Sequence, residues 1–199
     1  MNCKTRAHFS HKHVKKHLDE GDPIILSVVG GNHGLATNGV HVADVFAYYA
    51  DADRIGHISS SIDDVLYPSK RAGGLFDLSG TLVGSTSKGS RLFVSFSGDH
   101  DGPTCFTVMS ERYRAIVDDM NKVLFESEKG RNWKWVQVPF DANMLVSKMT
   151  RQFASDIITR QACDLPTLHQ CFAAHEFVLN ALLPKFQEKL GANVSCPVT

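Results

Sequence analysis

Apolar positions along this chain follow two rhythms, and its elements are marked where one rhythm gives way to the other. Ile24 to Val29 is a continuous apolar run broken only by Ser27. Its length suits a strand, and continuous rather than alternating apolarity predicts a strand covered on both faces, as in a parallel sheet between helices. Gly30-Gly31-Asn32-His33-Gly34 cannot continue it. From Leu35 or Asn38 onward, Val42, Val45, Phe46 and Tyr49 fall on one helical face. A second strand, Arg91 to Ser97, runs into Gly98-Asp99-His100-Asp101-Gly102-Pro103.

The remaining pattern fills in around these two strands. A short strand is expected near Arg54–Ile58, then a helical turn capped by Ser61, then a long loop or loose hairpin over the Gly/Ser/Thr-rich residues 68–90. Ser110 to Lys129 carries helical spacing at Tyr113, Ile116, Val117, Met120, Val123 and Leu124, with Ser110 as cap and Gly130 as stop. Trp133 to Phe140 alternates like a strand, with Pro139 marking an edge or strand end. Asp141 is expected to cap a helix over 142–161, and Pro166 to open a last helix over roughly 167–190, which Pro184 kinks or divides. The prediction is an α/β chain: a three-layer domain with a mostly parallel or mixed sheet and a C-terminal helical extension. Its expected divisions are a basic, His-rich N-terminal arm (1–21), an α/β nucleotide-like-binding domain (22–160), and the helical extension and tail (161–199).

Composition narrows the classes of function. A chain of 199 residues, 43% apolar and 21% charged, fits one globular domain. Lys+Arg and Asp+Glu both number 21, so no global field recruits nucleic acid or an anionic membrane. Five scattered cysteines without a C-x-x-C pair argue against a disulfide framework and for a reducing compartment. No run approaches the roughly 18 apolar residues of a membrane span, and the N-terminus lacks a signal peptide's apolar core, so a cytoplasmic location is expected.

The candidate chemistry sits at the glycine turns. A helix that opens after a glycine loop offers free N–H groups and the positive end of its dipole to an anion. The second turn repeats the first, with a histidine in a glycine-bracketed loop after an apolar strand. If the two strands adjoin, both loops share one rim. Backbone amides of Gly31, Gly34, Gly98 and Gly102 would then hold phosphate, Asn32 would fix a sugar hydroxyl, and His33 or His100, with Asp99, would be the acid/base candidates. The expected partner is a phosphorylated, nucleotide-like small molecule. A second reading gives Asp99, His100 and Asp101, with His33 or His57, to a divalent metal that activates water against a phosphoester; the cofactor otherwise stays unnamed. A third is a non-catalytic interaction or assembly protein, its last helices covering the sheet or mediating self-association. Cys105 beside His100 is a further nucleophile candidate. His13 and His17, four apart, would share a helix face as a metal or phosphate contact, or belong to a solvated basic arm.

The order of pieces resembles the macrodomain family over about residues 20–155. The matching residues are Asp22, the run Ile24–Val29, Asn32, Gly34 and Gly39-Val40, then Ser97-Gly98 with Gly102-Pro103, then Val138-Pro139-Phe140-Asp141. The family's Asn-Ala-Ala-Asn is Val-Gly-Gly-Asn here. The resemblance implies ADP-ribose binding: Asp22 facing the adenine, Asn32 the distal ribose, and the two glycine loops enclosing the diphosphate, with hydrolysis as a further step. Separately, Gly74 to Ser85 resembles the first motif of haloacid-dehalogenase-type phosphatases. That likeness implies Asp77 as a nucleophile beside magnesium, with Ser79 in place of the second acid and Asp118-Asp119 as distal ligands.

Overall fold

The computed structural model describes residues 3–32, 34–69, 73–140 and 146–197, with side chains in the last stretch from 149 onward. A 3-10 turn (Thr5–Ala7) leads into helix α1 (Phe9–Lys16), strand β1 (Ile25–Gly30) and helix α2 (Leu35–Ala50). Strands β2 (Gly56–Ile62), β3 (Tyr67–Pro68), β4 (Phe76–Asp77), β5 (Gly80–Ser85) and β6 (Arg91–Phe96) follow. Then come β7 (Cys105–Met109), β8 (Tyr113–Asp118), β9 (Val123–Glu128) and β10 (Val136–Gln137), and finally helices α3 (Val146–Arg160) and α4 (Leu168–Leu190).

Eight strands form one sheet in the order β10-β9-β8-β7-β1-β6-β5-β2, while β3 and β4 make a separate small pair. Of the expected sheet types the mixed one is found, and it is mostly antiparallel: among the described residues only β1 and β6 run parallel. The α/β class and the C-terminal helix stand as expected. Thr167 starts α4 with a reciprocal cap, its side chain accepting from the Gln170 N–H and the Gln170 side chain from its own, and Pro184 does not divide the helix.

Continuous apolarity in β1 did not mean two covered faces. Leu26 and Val28, with Leu92, Val94, Phe106 and Val108 beside them, are buried beneath the helices. Ile25, Val29, Phe93 and Met109 alternate with them and are 39 to 53% exposed. Gly39 lets α2 approach α4, its Cα facing Val178, and Phe177 of α4 lies against Gly84 of β5. The described residues thus supply the sheet and one helical layer.

Where a helix was expected over 110–129 the chain forms the β8–β9 hairpin. The residues that fitted a helical stripe also fit two strands. Tyr113, Ala115 and Val117 turn inward at a period of two, as does Leu124 across from Val117, whereas Ile116 and Val123 point to the other face. Met120 is 72% exposed at the turn, where Lys122 takes a positive φ of 56° and the Asp118 side chain accepts from the Asn121 backbone and amide. The expected turn at Ser61 is the end of β2, and of Trp133–Phe140 only Val136–Gln137 is strand. Both Trp133 and Trp135 lie over the Arg114 guanidinium, at 4.5 and 5.2 Å. The expected cap at Asp141 lies outside the described residues.

The N-terminal segment is not a solvated arm. Ser10, His11 and Val14 of α1 are fully buried on the sheet. Asp119, at the β8–β9 turn, receives the Ser10 hydroxyl and faces His11 Nε2 at 2.9 Å and His8 Nδ1 at 3.5 Å, while the Tyr49 hydroxyl meets His11 Nδ1 at 2.6 Å. Just before α1, Arg6 makes a two-pronged pair with Asp44 of α2 at 2.7 and 2.9 Å, both groups buried. Arg6→Ala leaves the Asp44 carboxylate buried without its counter-charge, and a loss of about 3–5 kcal/mol in urea unfolding is expected.

Acid should loosen α1. Burial by itself raises the Asp119 pKa, but the bonds from His11, His8 and Ser10 outweigh it and hold the carboxyl far below the usual carboxylate range. A depressed folded value means the stabilisation is complete above the unfolded pKa of about 3.9 and is lost as pH falls toward the folded one. Wild-type stability is therefore expected to fall below about pH 4, by on the order of 2 kcal/mol from this group. Asp119→Asn should be less stable at pH 7 and show a flatter acid limb in pH-dependent urea titrations.

Candidate functional site

Because β1 and β6 adjoin and run parallel, the loops that follow them meet at one rim. A hollow of about 350 Å³ opens there, lined by Val29, Gly30, Gly31, Ser95, Ser97, His100, Gly102 and Pro103. The expected convergence of the two turns is present, but the Gly31 amide expected to hold phosphate is taken by the facing loop. Gly31 N–H donates to Gly102 O at 2.9 Å, Asn32 N–H to His100 O at 2.5 Å, and Ser97 N–H to Gly30 O at 3.0 Å. The two loops are zipped to each other. Glycine is needed at 31 for that contact, since a Cβ there would lie 2.2 Å from His100 O. What the rim turns outward is polar side chain: Ser97 Oγ lies 3.3 Å from His100 Nδ1 and accepts from the Asp99 N–H at 3.2 Å.

The amino end of α2, the other expected phosphate cradle, already holds an anion. Gly34 precedes the helix at φ 103° and provides no capping side chain. Asp77 arrives from β4 instead. Its Oδ1 accepts from the Ala36 and Leu78 N–H groups, both at 2.8 Å, and its Oδ2 from the Thr37 hydroxyl at 2.7 Å. The Leu35 N–H is taken by Leu78 O at 3.0 Å. A carboxylate at this end satisfies the orphan donors and meets the positive pole of the helix dipole, as a phosphate would have done. Asp77, 4% exposed and held on both oxygens, is a cap and not a nucleophile.

The other candidates scatter. Asp22 lies before β1, at the opposite end of the strand from the rim, about 20 Å away for six residues of strand. Gly39 faces α4, and Gly98 lies under the Tyr67 ring. Asp99, His100, Asp101 and Gly102 are exposed, and His33 lies outside the described residues. Burial and the nearby Asp118 raise the Cys105 thiol pKa, which removes the thiolate a nucleophile needs.

Among the described residues, three groups bring ligand-type atoms together: Cys3, Asp44 and Cys171; His8, His11 and Asp119; and His13, His17 and Glu126. Asp99, His100 and Asp101, expected to hold a metal, are not one of these groups. In the first group the Cys3 thiol is pushed up to about 12, by burial and then by Asp44, so it stays protonated. The sequence pointed only to the pair His13 and His17, because their partners come from strands more than a hundred residues away. Asp77→Ala should remove the α2 cap at a cost of about 1–2 kcal/mol in urea unfolding, with Asp77→Asn in between.

No protein-family model and no curated protein matches the sequence. The fold is similar to that of a dehydrogenase (MviM) from Clostridium difficile, at 13% identity and a TM-score of 0.66, over 92% of this chain and 61% of that one. It is similar to UDP-N-acetylglucosamine 3-dehydrogenase GnnA from Acidithiobacillus ferrooxidans, at 12% identity and a TM-score of 0.59, over 91% and 58%. A 3-ketoreductase from Actinomadura kijaniata, in complex with NADP and TDP-benzene, matches at 15% identity and a TM-score of 0.60, over 87% and 58%. The chain spans about three-fifths of the length of each. Among the described residues no helix is long and apolar enough to cross a membrane. The likeness corrects the macrodomain expectation: the fold is shared with oxidoreductases, and the adenine and distal-ribose roles which that resemblance put on Asp22 and Asn32 lapse. ADP-ribose binding and hydrolysis and a metal phosphoesterase at Asp99, His100 and Asp101 are set aside with it.

Proposed function

We propose that this chain is the sheet unit of a nicotinamide-dependent oxidoreductase acting on a nucleotide-linked sugar, and that it serves the substrate side of that reaction. The observation that carries the proposal is the topology. A dinucleotide is held by a doubly wound parallel sheet whose first glycine turn aims amides at the pyrophosphate. Here one strand pair of the eight-stranded sheet is parallel, the turn after β1 spends its amides on the neighbouring loop, and Asp77 fills the helix end behind it. In this reading the rim at β1 and β6 is given to the substrate, and the cofactor is not placed on it.

The matched fold occurs in chains named for sugar-nucleotide oxidation and keto reduction. The rim at β1 and β6 suits such a substrate. Ser97 and His100 offer a hydroxyl and an imidazole beside a hollow of about 350 Å³, the size of a sugar ring and its substituents. Oxidising a sugar alcohol sends a hydride to the nicotinamide and the hydroxyl proton to a base, and His100 is the imidazole that lines the hollow.

Thermal-shift and NADPH-fluorescence titrations of the chain test this division. The chain alone is expected to show no saturable NADPH binding, and a rise in Tm with UDP-N-acetylglucosamine or a TDP-sugar that Ser97→Ala and His100→Ala abolish. Saturable NADPH binding would overturn the assignment of the cofactor elsewhere. A flat response to every nucleotide sugar would overturn the substrate role.

A further inference from the structure

The carboxyl end of α1 carries a grouping that the oxidoreductase reading does not use. His13 lies in its last turn and His17 is the residue that ends it, four positions on, so both rings share one side of the helix. That side faces β9. His13 Nε2 is 2.8 Å from Glu126 Oε2, and His17 Nε2 is 3.9 Å from Glu128 Oε1. The ligand atoms of His13, His17 and Glu126 all lie within 4.8 Å of one another. Tetrahedral binding at about 2.0–2.1 Å per ligand needs neighbours about 3.3 Å apart, so shifts of a few tenths of an ångström to about 1.5 Å, within side-chain reach, complete it.

Two features hold these rings as a ligand set would need them held. His17 Nδ1 is 2.9 Å from the His13 carbonyl oxygen. Since a carbonyl only accepts, Nδ1 carries the proton, and in the neutral ring the Nε2 lone pair faces the acids. The same ring is stacked on Tyr113, with centroids 5.0 Å apart and planes within 11°. Tyr113 in turn donates its hydroxyl to Glu126 Oε2 at 3.1 Å, which orients the carboxylate. Arg131 lies 4.0 Å from Glu126 Oε1 and 3.4 Å from Glu128 Oε2. His13 and His17 are 21 and 32% exposed at the side chain, so the group opens to solvent, and a hollow of about 550 Å³ beside His17, Tyr113 and Glu128 gives access.

We infer that His13 Nε2, His17 Nε2 and a Glu126 oxygen form a site for a divalent transition metal of the zinc class, with Glu128 or water as the fourth ligand. Two imidazoles and a carboxylate select Zn²⁺, Co²⁺, Ni²⁺ or Cu²⁺ over Mg²⁺ and Ca²⁺. The ion ties the end of α1 to β9. The neighbouring group at His8, His11 and Asp119 is buried and its Asp119 is already held by Ser10 and His11, so it serves packing.

The test uses the full chain, free of any histidine tag and stripped with EDTA, titrated with Zn²⁺ by calorimetry and with Co²⁺ by visible absorption. One equivalent of Zn²⁺ at micromolar affinity or better is expected, with Co²⁺ bands of tetrahedral intensity. His17→Ala and Glu126→Gln should each weaken binding on the order of 100-fold, and His8→Gln should leave it unchanged. A readout on the wild-type chain does not depend on the variants folding: Zn²⁺ should shift the imidazole ¹⁵N resonances of His13 and His17 and spare those of His169 and His175. Absence of saturable binding, binding that survives both ligand variants, binding lost in His8→Gln, or shifts at other histidines would each overturn the inference.

Discussion

The Asp77 carboxylate at the amino end of α2 is the contact on which the rest of the arrangement turns. It accepts two backbone N–H groups and one hydroxyl, and so joins the β3–β4 pair to the central helix and to the strand beginning at Gly80. Because α2 starts immediately after β1, fixing its first turn fixes how the loop after β1 leaves the sheet. That loop then meets the loop after β6, and each takes the other's backbone groups. A single buried anion thus sets the shape of the rim and at the same time removes the helix end from the list of places where a phosphate could settle.

Buried charge is handled in the same manner elsewhere. Asp44 is met by Arg6, and Asp119 by Ser10 and two imidazoles, so the acids that stand under the helical layer have partners contributed by the first twenty residues. The N-terminal segment is therefore a component of the core, and its histidines divide between packing at His8 and His11 and a more open set at His13 and His17.

Much of the fold was legible because local pattern and final structure agree where one face alone is buried. The strand within Ile24–Val29, the helix carrying the stripe from Val42 to Tyr49 and the strand at Arg91 all formed where their spacing placed them, although β1 is covered on one face and not two. The segment from Ser110 to Lys129 did not, because apolar residues on both sides of a hairpin satisfy a three-four spacing as well as a two-fold one, and only pairing with β7 decides between them. The shared rim followed from two similar turns. Its electrostatics did not, since Asp77 is 41 residues from the N–H it caps and nothing local announces that pairing. The same holds for Asp119, which closes on histidines 108 and 111 positions earlier.

The two borders of the eight-stranded sheet differ from its middle. At one, β10 has just two residues; at the other, β2 carries Ser59, Ser60 and Ser61, is exposed along nearly its whole length, and is irregular between His57 and Ser59. A short border and a kinked, hydroxyl-rich one both offer poor templates for another chain's backbone. Lateral extension into cross-β ribbons is thereby disfavoured at both borders.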